Sequence, residues 1–290
     1  MNPGEIIRPA RVGEGERIAA LIRLSLPPEL RPLTIWDSPG AGNYVESTLG
    51  GGVAGEDHCY YALQHGAHLE GVAVFRRLDT AAFLNHLYIA PHLRGRSLGT
   101  KLLHQAARHY LHQAPLRRIA LDVFPQCGVA ETWYERLGFE ESGRRNWWLL
   151  DSHAKVCGKN VPAQILETCN GDPAWGFSRF QVLLPGGRCY EIGRLPGPYF
   201  RLTDRQAALD TELWEALSRC DPSRKLLLIA DSAALIRDFR RTDRDSSGRF
   251  QRLANHPMQR GGWKRAGVSR RLRCDTARLL RNLERGGVRA

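Results

Sequence analysis

Hydrophobic and polar positions follow two rhythms along this chain, and the rhythm switches repeatedly. Residues 6–10 alternate as a first strand. Residues 14–26 then place Ile18, Leu21, Ile22 and Leu26 on one face of a helix that Pro27-Pro28 ends. Residues 27–42 hold Trp36 among the breakers Pro32, Pro39 and Gly40, which predicts a long loop. Residues 59–63 and 69–75 flank the turn His65-Gly66-Ala67-His68 as an antiparallel hairpin, and residues 83–89 add a third strand. From Leu98 the spacing is helical again, with Leu102, Ala106 and Tyr110 on one face to about Leu111. Residues 117–123 and 146–150 read as two more strands, the latter with Trp147 and Trp148 on opposite faces.

The second half repeats this on a smaller scale. Residues 151–163 are polar and mixed, which predicts a linker. Residues 164–168 and 179–184 read as strands, and Pro185-Gly186-Gly187-Arg188 as a turn into a third strand at 189–194. Thr203-x-x-Gln206 has the form of a capping box and predicts a helix carrying Leu209, Leu213, Ala216 and Leu217. Residues 225–230 form a buried strand that runs into a helix ending near Arg240. Hairpin, helix and strand in that order are what a worn second copy of the first half would show. Residues 243–270 have little apolar pattern and read as irregular. Asp275 is placed to cap a last helix, 276–285, with Ala277, Leu280 and Leu283 on one side and Gly286 at its end. The expected fold class is α/β (α+β), a mixed, mostly antiparallel sheet flanked by helices over residues 1–150. A small α/β domain at 164–242 follows the linker 151–163, and an arginine-rich tail with a short helix occupies 243–290.

The candidate chemistry lies where strand 83–89 meets the helix at Leu98. Pro91 stops the strand, and Arg94-Gly95-Arg96-Ser97-Leu98-Gly99-Thr100 opens the helix. Unpaired first-turn amides and the positive end of the helix dipole make such a junction an anion cradle. Glycine lets a ligand approach the backbone, and Arg94 or Arg96 adds a fork of donors.

After Leu87-Tyr88-Ile89-Ala90-Pro91, Arg94-x-x-Ser97-x-Gly99 resembles the pyrophosphate loop of the GNAT superfamily of acyl-CoA-dependent N-acetyltransferases. Ser97 stands where the family's pattern has its middle glycine, and serine is a common helix N-cap. A second piece is similar to the family's other signature: Val129-Ala130-Glu131-Thr132-Trp133-Tyr134-Glu135-Arg136-Leu137-Gly138-Phe139, a helix ending in Tyr-x-x-x-Gly-Phe. Arg94 and Tyr134 lie 40 residues apart (134 − 94), room for one helix, one strand and the next helix start.

The resemblance implies a GNAT-like fold over residues 1–150, acetyl-CoA as cofactor, and direct attack of an amine on the thioester in a ternary complex. It implies that Leu87, Tyr88, Ile89, Arg94, Gly95, Arg96, Ser97, Leu98, Gly99 and Thr100 bind CoA, with the Tyr88 or Ile89 amide donating to the thioester oxygen. It implies too that Tyr134 faces the CoA sulfur and supplies the leaving thiolate's proton. The family often has an asparagine contacting CoA at the position of Cys127. No base carries over from the family; His86 and Asp122 are the candidates, with Asn85 on the opposite face of the strand from His86 and Glu46 on a candidate second helix. Trp36 in the long loop and Trp148 in the last strand are the candidate acceptor contacts.

Composition narrows the partners. The net charge of +12 is concentrated at the end: residues 237–290 contain 16 Lys and Arg against 5 Asp and Glu, and the remainder of the chain 26 against 25. That leaves two acceptor classes open. One is a small-molecule amine. The other is a macromolecule, aminoacyl-tRNA or protein, docked through an RNA-binding or acid-binding tail at 243–290. A non-catalytic acyl-CoA-binding module is the third reading. The seven cysteines stand singly with no Cys-x-x-Cys pair, so no metal site is expected. With no leader and no apolar run of membrane length, a cytoplasmic protein without membrane contact is expected.

Overall fold

The computed structural model describes residues 4–53, 57–150, 162–167, 172–231 and 263–287. The chain divides into two compact units. The first comprises residues 1–31, 39–143 and 269–290, and the second residues 32–38 and 144–268.

The first unit is built on strands β1 (Glu5–Pro9), β2 (Cys59–His65), β3 (His68–Leu78), β4 (Ala81–Ile89) and β5 (Arg118–Val123). Neighbours from β1 to β4 are antiparallel, while β4 and β5 are parallel and joined by helix α3 (Leu98–Gln113). On its other side β5 pairs antiparallel with residues 270–275 of the last strand, β12 (Trp263–Asp275). Leu84, Leu121 and Leu272 bury against Leu102, Leu103 and Ala106 of α3 and against Leu279 and Leu283 of the last helix, α6 (Thr276–Gly287). The opposite face is covered by α1 (Gly15–Ser25), whose Ile18 and Ile22 are buried. Helix α2 (Ala41–Leu49) packs on α1 so closely that a Cβ on Gly15 would lie 2.6 Å from the Gly42 carbonyl oxygen. Glu46 accepts from the Gly13 and Gly15 amides, capping α1 rather than facing a reaction centre.

The second unit pairs β7 (Gln164–Glu167), β8 (Ser178–Leu183), β9 (Cys189–Arg194) and β10 (Tyr199–Leu202) antiparallel. Strand β11 (Lys225–Asp231) lies parallel to β10 after helix α5 (Thr211–Cys220), the same crossover as β4–α3–β5. Beyond β11 lies the second part of β6 (Glu140–Leu150), with Leu226 opposite Leu150 and Leu228 opposite Trp148. Phe180, Ile192, Phe200, Leu213, Leu217, Leu228 and Trp263 form its core.

Four expectations change. The domain boundary falls within β6, because residues 145–150 pair with β11 instead of closing the first sheet. The expected tail contains β12 and α6, which are integral parts: Leu272, Leu279 and Leu283 are at most 1% exposed. Thr203 caps no helix. Its hydroxyl donates to the Glu191 carbonyl, and α5 begins later, with the Asp210 carboxylate accepting from the Glu212 and Leu213 amides. The long loop contains two short 3-10 turns, Pro28–Leu33 and Ile35–Asp37. The linker, the helix expected to end near Arg240 and residues 243–262 lie outside the described residues, apart from Pro162 and Ala163.

Candidate functional site

The first unit splits at one point. Strands β4 and β5 are paired from Ala81–Arg118 to Leu84–Leu121 and no further. At the same place β4 carries a bulge: Phe75 opposes Leu84 and Val74 opposes His86, so Asn85 is extra. Past the bulge one edge of β4 is open. The Ala90 amide donates to the Glu70 carbonyl of β3, so alternation turns the Tyr88 amide to β3 as well, and the Leu87 and Ile89 amides outward. Of the two amides expected at a thioester oxygen, Ile89 is on the open edge and Tyr88 is in the ladder.

At the end of β4 the chain turns through Pro91–Leu93 and enters α3. Gly95 and Ser97 both have positive φ, 76° and 56°. The first intrahelical bond runs from the Lys101 amide to the Ser97 carbonyl, which leaves the Leu98, Gly99 and Thr100 amides without helical partners. Ser97 is the N-cap by position, yet its side chain makes no capping bond. It takes the left-handed backbone that glycine adopts freely and serine does not. Arg94 folds back over the strand end. Its Nε donates to the Ile89 carbonyl at 3.0 Å and its guanidinium lies 5.6 Å from the Tyr88 ring, so both terminal nitrogens remain for an anion. Arg96 is corrected to a tether, since its terminal nitrogen donates to Glu5 at 2.8 Å and the Glu5 side chain is 4% exposed.

Tyr134, on α4 (Gly128–Arg136), is 8% exposed and packs between Trp133 and Phe139. Burial, aided by neighbouring Cys127, pushes its phenol well above the ordinary value, so it stays protonated. Burial, then the Glu29 charge, raises the Cys127 thiol, against a smaller opposing effect of Arg94. Gln126 donates to Glu29, joining the loop after β5 to the segment after α1.

The expected bases are otherwise engaged. His86 is buried against α1, where Ser25 donates to the Ile22 carbonyl and so receives the His86 Nδ1–H at 3.2 Å. Burial lowers its pKa to about 3, with the His58 and Arg76 charges acting the same way, so it is too weak a base near neutrality. Asp122 is held in a two-pronged ion pair by Arg271 of β12, one prong at 2.7 Å and the other shorter. Trp36 and Trp148 are also corrected. Both belong to the second unit, and they are 6% and 2% exposed, which makes them packing residues.

The second unit offers no matching cradle among its described residues. The start of α5 is filled by Asp210, which also accepts from Arg188 and Tyr190. A carboxylate at that position repels an incoming phosphate.

Residues 55–141 match a family model described as an acetyltransferase (GNAT) domain. The first unit carries a GNAT acetyltransferase domain. Its family is acyl-CoA-dependent, with acetyl-CoA as the donor. No curated protein sequence matches the chain. Among solved structures, a tandem GNAT protein from the clavulanic acid biosynthesis pathway is similar over 94% of this chain and 98% of its own, at 14% identity and a TM-score of 0.60. A GCN5-related N-acetyltransferase from Sphaerobacter thermophilus is similar over 94% and 96%, at 13% identity and 0.55. One from Anabaena variabilis covers 94% and 73%, at 9% identity and 0.54. These likenesses extend the GNAT fold to both units. No helix among the described residues is long and apolar enough to cross a membrane.

Sequence reasoning missed Glu5, Arg271 and the bulge at Asn85. Arg271 had no visible signal, because its strand reads as an arginine-rich irregular stretch.

Proposed function

We propose that this chain is an N-acetyltransferase that moves an acetyl group from acetyl-CoA to a primary amine of a small molecule by direct attack. The observation that carries the reading is the coincidence of two features at one strand end: the open edge of β4 past Asn85 and the unpartnered first turn of α3. The cradle fits a pyrophosphate. Three amides and Arg94 supply donors, and Gly99 leaves open space, since a Cβ there would meet only Ile89 at 3.7 Å.

In this reading the α3 amides and Arg94 bind the pyrophosphate, and the open edge of β4 accepts the pantetheine chain as an added strand. The Ile89 amide donates to the thioester oxygen as it gains charge. Tyr134 donates a hydrogen bond to the departing thiolate. A thiol titrates near ~8.5, below this buried phenol, so Tyr134 stabilises the thiolate by donation rather than by complete proton transfer. The amine's own proton leaves to water, since His86 and Asp122 are both occupied.

A macromolecular acceptor loses its support. The tail that was to dock it contains a sheet strand and a helix whose leucines are buried.

The test is acetyl-labelled acetyl-CoA incubated with the protein and a cell extract, with products separated into small-molecule, RNA and protein fractions. Label in small molecules is expected; label confined to RNA or protein overturns the acceptor class. In parallel, Gly99→Glu places a carboxylate in the cradle without a steric clash at Cβ and should abolish CoA binding. Unchanged affinity in that variant overturns the cradle.

A further inference from the structure

The Asp122–Arg271 pair has a position that its structural role does not require. Asp122 is the first residue of β5 past the last β4–β5 pair, so it sits at the apex of the split. Its side chain shares a face with Phe83, because alternation puts Leu121 and Val123 on the α3 side. That face is opposite the one filled by α3 and α4; α1 covers it over β3 and β4. Arg271, directly across from Asp122 on β12, is 9% exposed and stacks its guanidinium 4.8 Å from the Phe83 ring. Arg76 lies 5.1 Å from the same ring. The Asp122 side chain remains 24% exposed.

A carboxylate gripped at both oxygens by a guanidinium still has lone pairs for further donors. Its orientation is fixed by Arg271, which is itself fixed by Phe83. We infer that Asp122 is the anionic contact for the acceptor's ammonium group, and that Arg271 is the positioning residue that aims it. The assignment rests on the acetyltransferase reading and specifies the acceptor as cationic. Asp122 recognises the amine and Arg271 touches no substrate.

The experiment uses the full chain, labelled acetyl-CoA and the small-molecule fraction of a cell extract at graded dilution. Asp122→Asn should raise the half-saturating extract concentration at least about tenfold, with limiting rate changed less than about threefold and acetyl-CoA affinity within about twofold. Arg271→Ala should behave alike and recover partly on adding guanidinium ion, which a merely unfolded variant would not do. Arg271→Lys should fall between, because an ammonium cannot replace the fork. Equal half-saturation in Asp122→Asn and wild type overturns the assignment and leaves the function standing. Wild type that binds acetyl-CoA but labels nothing in this fraction also overturns it. Wild type that fails to bind acetyl-CoA overturns the function reading itself.

Discussion

Arg96 reaches 2.8 Å from Glu5, so the loop that opens α3 is tied to the first strand by a carboxylate almost wholly out of water. The two arginines of this loop, alike in sequence, therefore have different work. Removing Arg96 strands Glu5 and should cost about 1–3 kcal/mol of stability. Arg96→Ala and Glu5→Gln together should cost less than the sum of the two, which a double-mutant cycle by thermal unfolding measures. Arg94→Ala should instead leave the melting temperature nearly unchanged and weaken CoA binding in a salt-dependent way. An additive cycle would break the tether argument.

Ser97 offers a sharper test of the loop. A left-handed backbone costs a non-glycine residue about 1–2 kcal/mol, and glycine gives back about 0.5–1 kcal/mol in entropy. Ser97→Gly should thus stabilise the protein by about 0.5–1 kcal/mol with CoA affinity retained. Ser97→Val should do the opposite on both counts. A destabilised glycine variant would mean that the serine hydroxyl has a role the backbone does not reveal.

The loop was legible because its pattern of glycine, arginine and helical leucines is local. The same holds for β4, α3 and the Tyr134 helix. What escaped the sequence was long-range pairing. Arg271 lies 149 residues from Asp122 in sequence, and its strand sets Arg270, Arg271 and Arg273 among few apolar residues, so no period-2 pattern marks it. Trp148 looked like a cleft residue for the same reason: its strand pairs with β11, not within the first sheet. Asp210 displaced Thr203 as the cap because Thr203 bonds across to β9, a competition no spacing rule contains.

Tyr134→Phe keeps the ring between Trp133 and Phe139 and removes only the hydroxyl. Turnover should fall about 10²-fold, with acetyl-CoA affinity and melting temperature nearly intact. Since burial raises the phenol, wild-type turnover should show no loss from tyrosine ionisation below about pH 10. A fully active phenylalanine variant would make Tyr134 a packing residue.

His86 makes a pH prediction with a definite sign. Its folded pKa of about 3 lies below the ordinary 6.5, so the unfolded chain binds the extra proton between those values. The stability it contributes is complete above pH about 6.5 and is lost as pH falls toward 3. Melting temperature against pH should therefore slope less steeply over that window in His86→Gln. If His86 were the catalytic base, the variant would lose the acidic limb of the rate profile; we expect that limb to persist.

The end of the chain provides the last test, and it separates packing from charge. Leu283 is 1% exposed in the core that α6 shares with α3, whereas Arg281 and Arg285 are exposed on the same helix. Leu283→Ala should cost about 2–5 kcal/mol. The double reversal Arg281→Glu with Arg285→Glu should cost under about 1 kcal/mol and leave both turnover and its salt dependence unchanged. Deleting residues 263–290 should yield insoluble protein, because β5 loses its partner strand and the core loses Leu272, Leu279 and Leu283 together. A soluble, active deletion would return this segment to the status of a tail. A charge-reversed helix with collapsed turnover would make its arginines part of substrate capture.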